Sequence, residues 1–329
     1  MVYLSTKTVG GEKRFFLVKS IRIGGKVEKI SISLGSKKPG MEKIKLLSEI
    51  AEPKFCLEEA TLKAEHTSKK YKSEYIDEKK IKKIEFTRHF YKSYLHRLKP
   101  SELEKYRQNF LVRYAFNTTN IEGNSTTLPE TALILLKKIA PEGRELREIY
   151  EIENYGKLVE FMDSYGGELT KKFILKVHEI LLSNIDDNAG KFRKIRVHII
   201  GSEIRLSDPK DIETKISELI EHYNRSDNLH PFELVSVLHH MFEKIHPFSD
   251  GNGRVGRELI NFVLKKKGYP PLVIEVKRRQ RYIKALMKAD SGEIEYLIDF
   301  ITETFLEQYD HLTEIDIDEI NKKIEDVKS

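Results

Sequence analysis

A single cysteine, Cys56, stands among 329 residues. That excludes an internal disulfide and suits a reducing, cytoplasmic setting. No run of eighteen apolar residues occurs, so no membrane-spanning helix and no membrane partner are expected. The opening MVYLSTKTVGGEKR lacks the apolar centre of a secretory signal. Glutamine occurs only at Gln108, Gln280 and Gln308, while 33% of the residues are charged, mostly Lys and Glu. Hot environments and ordinary compositional drift both produce that pattern. The 39% hydrophobic content supports a packed core, and the length suits one large domain with a smaller one.

Excess positive charge is absent from most of the chain. Residues 1–50 hold 11 Lys+Arg against 4 Asp+Glu, a balance of +7, and the remainder holds 47 against 48. The first segment is therefore the one that would attract nucleic acid or an acidic protein surface.

Within that segment, Arg14 to Ile23 is rich in Phe, Val and Ile, Gly24-Gly25 forms a turn, and Ile30, Ile32 and Leu34 alternate with polar residues up to Gly35. The pattern predicts a small antiparallel sheet of about three strands. A charged connector follows, Lys-rich around Lys69–Lys83. Three- and four-residue apolar spacing then predicts helices near 77–96, 101–119, 129–139, 144–164, 169–183, 211–224, 231–244, 254–267, 277–290 and 293–309, with a charged surface helix or tail over 313–328. Lys194 to Leu206 interrupts them with a hairpin pattern turning at Gly201-Ser202. The expected fold is mainly α, a helical bundle with a β-hairpin, preceded by the small sheet. Its expected divisions are a basic β-rich domain over 1–65, a catalytic domain over 66–312, and a C-terminal helix or tail over 313–329.

The chemistry concentrates in the stretch HPFSDGNGRVGR, His246 to Arg257, between two apolar helices. Gly251-Asn252-Gly253 lets the backbone turn tightly and present amides at a helix N-terminus, where the dipole favours an anion. Arg254 and Arg257 lie three apart on that helix, so two guanidinium groups reach one side. Asp250 offers a hard oxygen ligand for Mg²⁺ beside the phosphates, and His246 supplies a base that titrates near neutrality. Each feature alone is more often a turn, a packed ring or a solvated face. Together in twelve contiguous residues they describe in-line phosphoryl-type transfer.

This stretch matches, at every defined position, the signature of the Fic family (filamentation induced by cyclic AMP), and the resemblance extends over roughly residues 85–305. The resemblance implies a protein adenylyltransferase (AMPylase), a nucleotidyltransferase moving AMP from ATP, with Mg²⁺, onto a Ser, Thr or Tyr hydroxyl of a target protein. His246 would be the general base and Asp250 the metal ligand. Asn252 and the amides of Gly251 and Gly253 would hold the α-phosphate, and Arg254 and Arg257 the β- and γ-phosphates, with Val255 and Gly256 completing the nucleotide-binding turn. A kinase-like branch carries Lys where this chain has Gly253, so Gly253 favours AMP transfer.

Thr118 and Glu122, in NTTNIEGN over an expected helix near 110–123, resemble the family's inhibitory motif. Glu122 would pair with Arg257 in the place of the γ-phosphate, giving intramolecular autoinhibition. Ile199, Ile200, Gly201 and Ser202 fall where the family carries its target-binding flap, preceded by Gly190-Lys-Phe-Arg193, and Tyr282 and Asp290 fall where it contacts adenine. His239 and His240 precede the loop without an accompanying zinc pattern, so packing or hydrogen bonding is the expectation. Two alternatives stay open: removal of AMP at the same site with Glu122 positioning water, and a DNA-binding regulator acting through residues 1–50. The basic segment resembles small three-stranded modules of recombinases and transposases, and an accessory domain that supports a homodimer or recruits a target fits it equally.

Overall fold

The computed structural model describes residues 2–198, 205–313 and 316–328. Three antiparallel strands come first: β1 (Val2–Val9), β2 (Glu12–Ile23) and β3 (Lys26–Gly35), in the order β1-β2-β3. Helices follow: α1 (Met41–Ser68), α2 (Glu78–Arg97), α3 (Pro100–Ile121) and α4 (Leu128–Ala132), the last continued by a π-helical turn, Leu133–Lys137. Then come α5 (Leu146–Ser164), α6 (Lys171–Leu181), α7 (Ile212–Arg225), α8 (Pro231–Ile245), α9 (Asn252–Lys266), α10 (Arg279–Asp290), α11 (Glu295–Tyr309) and α12 (Ile317–Lys328).

The chain divides into two compact units. One comprises residues 1–72, 77–98 and 309–329; the other comprises residues 73–76 and 99–308. This differs from the sequence expectation, which placed a boundary at 65 and left the C-terminal segment apart. The reason is α1. A 28-residue helix stands where a connector was expected. It covers the sheet with Leu47, Ala51 and Phe55, spaced four apart, against Leu17, Ile21, Ile30, Ile32 and Leu34. Further along, the buried stripe continues with Ala60 and Ala64, residues too small to raise a hydrophobic pattern, and Pro53 interrupts it. On the same sheet face Lys19 reaches Glu52 at 2.8 Å and Glu59 at 3.2 Å. Helix α12 contributes Ile324 to this core, so the expected surface tail is a packed part of the unit.

The second unit is helical. Helices α8 and α9 form its centre, with Phe232, Phe242, Val255 and Leu264 fully buried. The expected hairpin at 194–206 is corrected in part: neither 194–198 nor 205–208 is in strand conformation, and 199–204 lie outside the described residues. Carbonyls that a strand would have paired are taken by one side chain, since Arg193 donates to Ile195 O at 2.7 Å and to Ser207 O at 2.6 Å.

Candidate active site

The loop between α8 and α9 takes its shape from a few backbone and side-chain bonds. His246 ends α8 in the left-handed region at φ 50°, an arrangement that costs a non-glycine residue about 1–2 kcal/mol. Its N–H donates to Phe242 O at 2.9 Å, and its carbonyl accepts from Arg193 Nε at 2.7 Å. Gly251 opens α9 at φ 77°. A Cβ there would lie 2.6 Å from Leu182 Cδ2, so both conformation and space require glycine.

Asn252 closes the loop on itself. Its Oδ1 accepts from Phe248 N–H and its Nδ2 donates to Phe248 O, both at 2.9 Å. The sequence reading gave this side chain to a phosphate; the structure uses it to set the turn. Gly251 N–H likewise donates to Asp250 Oδ1 at 2.6 Å, so it is held within the loop. The amides of the first turn of α9, beginning at Asn252 and Gly253, have no helical acceptor by their position.

Beneath the loop lies a residue the sequence reading did not single out. His178 stacks on Phe248 with ring centroids 3.7 Å apart and planes 2° from parallel. Its Nδ1 accepts from Gly190 N–H at 2.8 Å and its Nε2 donates to Asp250 O at 3.1 Å. Burial pushes its pKa down to about 4, so the ring stays neutral. A lone histidine on an amphipathic helix carries no sequence signal for this role.

His246 itself donates through Nδ1 to Glu243 O at 3.3 Å. In a neutral ring that leaves Nε2 as the proton acceptor. Burial holds the pKa of His246 below its ordinary value, which keeps the acceptor form populated at neutral pH.

A charge network surrounds Asp250. Its carboxylate meets Arg254 at 3.1 Å and also pairs with Arg147. Burial pushes its pKa up, but Arg254, the Gly251 N–H and Arg147 together outweigh that and hold it below the usual carboxylate value. Buried Arg254 also meets Glu151 at 3.1 Å, and Glu151 accepts from Asn124 Nδ2 at 2.9 Å. Asp250 remains 41% exposed. A single ionised, reachable carboxylate fits Mg²⁺, which takes one or two protein carboxylates and fills the rest of its shell with phosphate and water.

Glu122 caps the C-terminus of α3 and reaches Arg257 NH2 at 2.7 Å. Arg257 is buried. It also donates to Thr118 Oγ1 at 2.8 Å and Thr118 O at 2.9 Å. Burial alone would lower the pKa of this guanidinium, yet Glu122 and the neighbouring phenols raise it, so its charge is permanent. Thr118 and Glu122 of the α3 C-terminus thus both meet Arg257 of α9.

The adenine candidates Tyr282 and Asp290 each bond to a histidine of α8. Tyr282 is buried, with its hydroxyl 2.6 Å from His239 Nε2 and its ring near Phe300. Asp290 pairs with His240 Nε2 at 2.8 Å. Both histidines of the His239-His240 pair thus make hydrogen bonds to these two residues. A cavity of about 840 Å³ adjoins, lined by His240, Lys244, Ile245, Arg196, His198 and Arg205 among others. Ile199, Ile200, Gly201 and Ser202 lie outside the described residues.

Residues 168–264 match the family model described as Fic/DOC family. Among curated relatives, the protein adenylyltransferase Fic of Aedes aegypti is 30% identical over 253 residues, covering 72% of this chain and 48% of the relative. That of Culex quinquefasciatus is 29% identical over 246 residues, covering 72% and 48%. The chain spans about half the length of these curated relatives. A solved Fic domain containing signaling protein from Bacteroides thetaiotaomicron superposes with TM-score 0.62 at 24% identity, covering 67% of this chain and 92% of that one. Fic-1 from C. elegans gives TM-score 0.57 at 19% identity, covering 83% and 92%.

Proposed function

The chain carries a Fic/DOC family domain, and from that premise we propose that it transfers AMP from ATP to a hydroxyl side chain of a target protein and is held inactive by its own Glu122. The observation that carries this reading is the Glu122–Arg257 pair at 2.7 Å, a carboxylate set on the buried cation in the second turn of α9.

The placement of the groups supports the following reaction. The target hydroxyl loses its proton to Nε2 of His246, its oxygen bonds to the α-phosphorus, and the bond to the β-phosphate oxygen breaks, releasing pyrophosphate. Amides at the head of α9 would receive the α-phosphate. Arg257, once Glu122 has left, would receive the terminal phosphate, and Arg254 balances the charge of Asp250. A magnesium ion held by Asp250 would neutralise phosphate charge. The adjoining cavity has the size of a nucleotide or peptide site, and the segment 199–202 would present the target. Among the described residues no helix is long and apolar enough to cross a membrane, and the lone thiol, Cys56, is buried. A cytoplasmic setting accords with both.

The test is transfer of label from α-labelled ATP to protein, with Mg²⁺, by wild type, Glu122→Gly and Glu122→Gly/His246→Ala. Labelling should rise in the single variant and vanish in the double. A Glu122→Gly protein that keeps its fold yet neither binds nor uses ATP overturns the proposal. Faster loss of AMP from a labelled target with wild type than with Glu122→Gly would favour the reverse reaction instead.

A further inference from the structure

The registry of the N-terminal sheet sorts its charges by face. One face packs on α1, and its central cation, Lys19, is matched by Glu52 and Glu59. On the opposite face the alternation of β2 brings out Arg14, Phe16, Ser20 and Arg22, the pairing of β1 places Lys7 opposite Arg14, and the pairing of β3 places Lys29 opposite Ser20. The four cations are exposed. One carboxylate shares their face, Glu12 at the tip of the first hairpin, 3.7 Å from Arg14. Among the described residues no other acid pairs with any of the four.

Two features of this face point to a ligand. Like charges directly opposite on neighbouring strands destabilise a sheet, and Lys7 opposite Arg14 is such a pair, offset within the sheet only by the Phe16 ring 5.5 Å from Lys7 Nζ and by Glu12 3.7 Å from Arg14. The cations also form two groups: Lys7 with Arg14 at one end, Arg22 with Lys29 at the other. Eight residues of strand separate Arg14 from Arg22, roughly 26 Å. Between the groups the face is neutral, made of Tyr3, Ser5, Ser20, Ser31, Ser33, the ring of Phe16 and the buried side chain of Val18. A flat anionic surface would call for charge across the middle. Two positive ends around a hydroxyl-rich band suit two phosphate backbones on either side of a groove. β-sheets are known readers of DNA grooves.

We propose that the face of the sheet turned away from α1 binds duplex DNA, with Lys7, Arg14, Arg22 and Lys29 on phosphates and the hydroxyl band toward the base edges. This activity is separate from nucleotide transfer and stands or falls without it.

The full-length protein is titrated onto a fluorescent mixed-sequence duplex of about two helical turns, and anisotropy is read from 50 to 200 mM salt. Four phosphate contacts give a slope of log K against log salt near −3.6, or about a hundredfold weakening across that range. Changing Lys7, Arg14, Arg22 and Lys29 to Gln should abolish the slope and weaken binding at least tenfold at low salt. A control with Lys69, Lys70, Lys79 and Lys83 changed to Gln, equal in charge and also in this unit, should bind as wild type does. All eight side chains lie on the surface, and melting curves verify that each variant is folded. The proposal is overturned if wild type does not bind duplex at 50 mM salt or if the control loses as much as the sheet variant. It is equally overturned if polyglutamate or anionic vesicles compete as well as DNA at equal charge.

Discussion

The carboxylate of Glu122 occupies the space where a side chain on Gly253 would begin: a Cβ at 253 would lie 2.3 Å from Glu122 Oε1 and 3.0 Å from Arg257 NH1. The absence of a Cβ at 253 is thus what admits this carboxylate to the turn. Gly253→Ala should displace Glu122 and destabilise the fold by about 1–3 kcal/mol, the cost of leaving a buried polar group unsatisfied. Combining it with Glu122→Gly should cost less than the sum of the two, because one clash underlies both. Urea unfolding of the four proteins measures the coupling, and strict additivity would refute the shared space.

Thr118 holds Arg257 through two acceptors, its hydroxyl and its carbonyl. Thr118→Val removes the first while keeping the volume, and Thr118→Ser restores it. The Val variant should lose about 1–3 kcal/mol, since Arg257 Nε is left buried without its acceptor; the Ser variant should lose much less. Equal losses would show that the methyl group, not the hydroxyl, matters.

Asn252 ties the loop to Phe248 at both its amide atoms. In the Glu122→Gly background, Asn252→Ala should lower label transfer by about a hundredfold, the scale of a misplacement near 1 Å, with little change in melting temperature. Unchanged transfer would mean that the loop keeps its shape without this side chain.

Glu243 lies under α9, with Oε1 buried and without a hydrogen-bond partner. A Cβ on Gly256 would lie 2.5 Å from that atom. Burial, reinforced by Glu122, pushes its pKa up to about 8 from 4.5, against the pull of Arg257. Between those values the folded chain keeps a proton that the unfolded chain has released, so stability falls as pH rises from 4.5 to 8 and then levels. Burial of Glu258, raised to about 7, adds a slope of the same sign. Glu243→Gln should flatten the decline, with a gain of several degrees in melting temperature at pH 8 and little at pH 5. His178 acts in the opposite sense: with its pKa lowered to about 4, it remains neutral when folded, and stability is lost as pH falls from 6.5 to 4.

The sheet and most helices were legible because their apolar residues repeat at the right period and glycines mark the turns at Gly24-Gly25 and Gly35. Helix α1 was not, because alanines at Ala51, Ala60 and Ala64 bury well but register weakly in a pattern of hydrophobicity. The loop residues His246, Asp250, Arg254 and Arg257 were readable as a cluster because they are contiguous. Glu122 was singled out through the resemblance of its surroundings, with Thr118 one turn before it, to the family's inhibitory motif. The roles of His178 and Arg193 depend on contacts 72 and 53 residues away, which no local spacing encodes. Tyr282 and Asp290 were placed by analogy of position, and their bonds to His239 and His240 are decided by tertiary packing.

Arg193 ties four carbonyls together: those of Ile245, His246, Ile195 and Ser207. The two arms of segment 194–207 and the backbone of the proposed base therefore share one mechanical anchor. Anything that pulls on either arm strains the same guanidinium that holds the His246 backbone, so a displacement of this segment is passed directly to the loop.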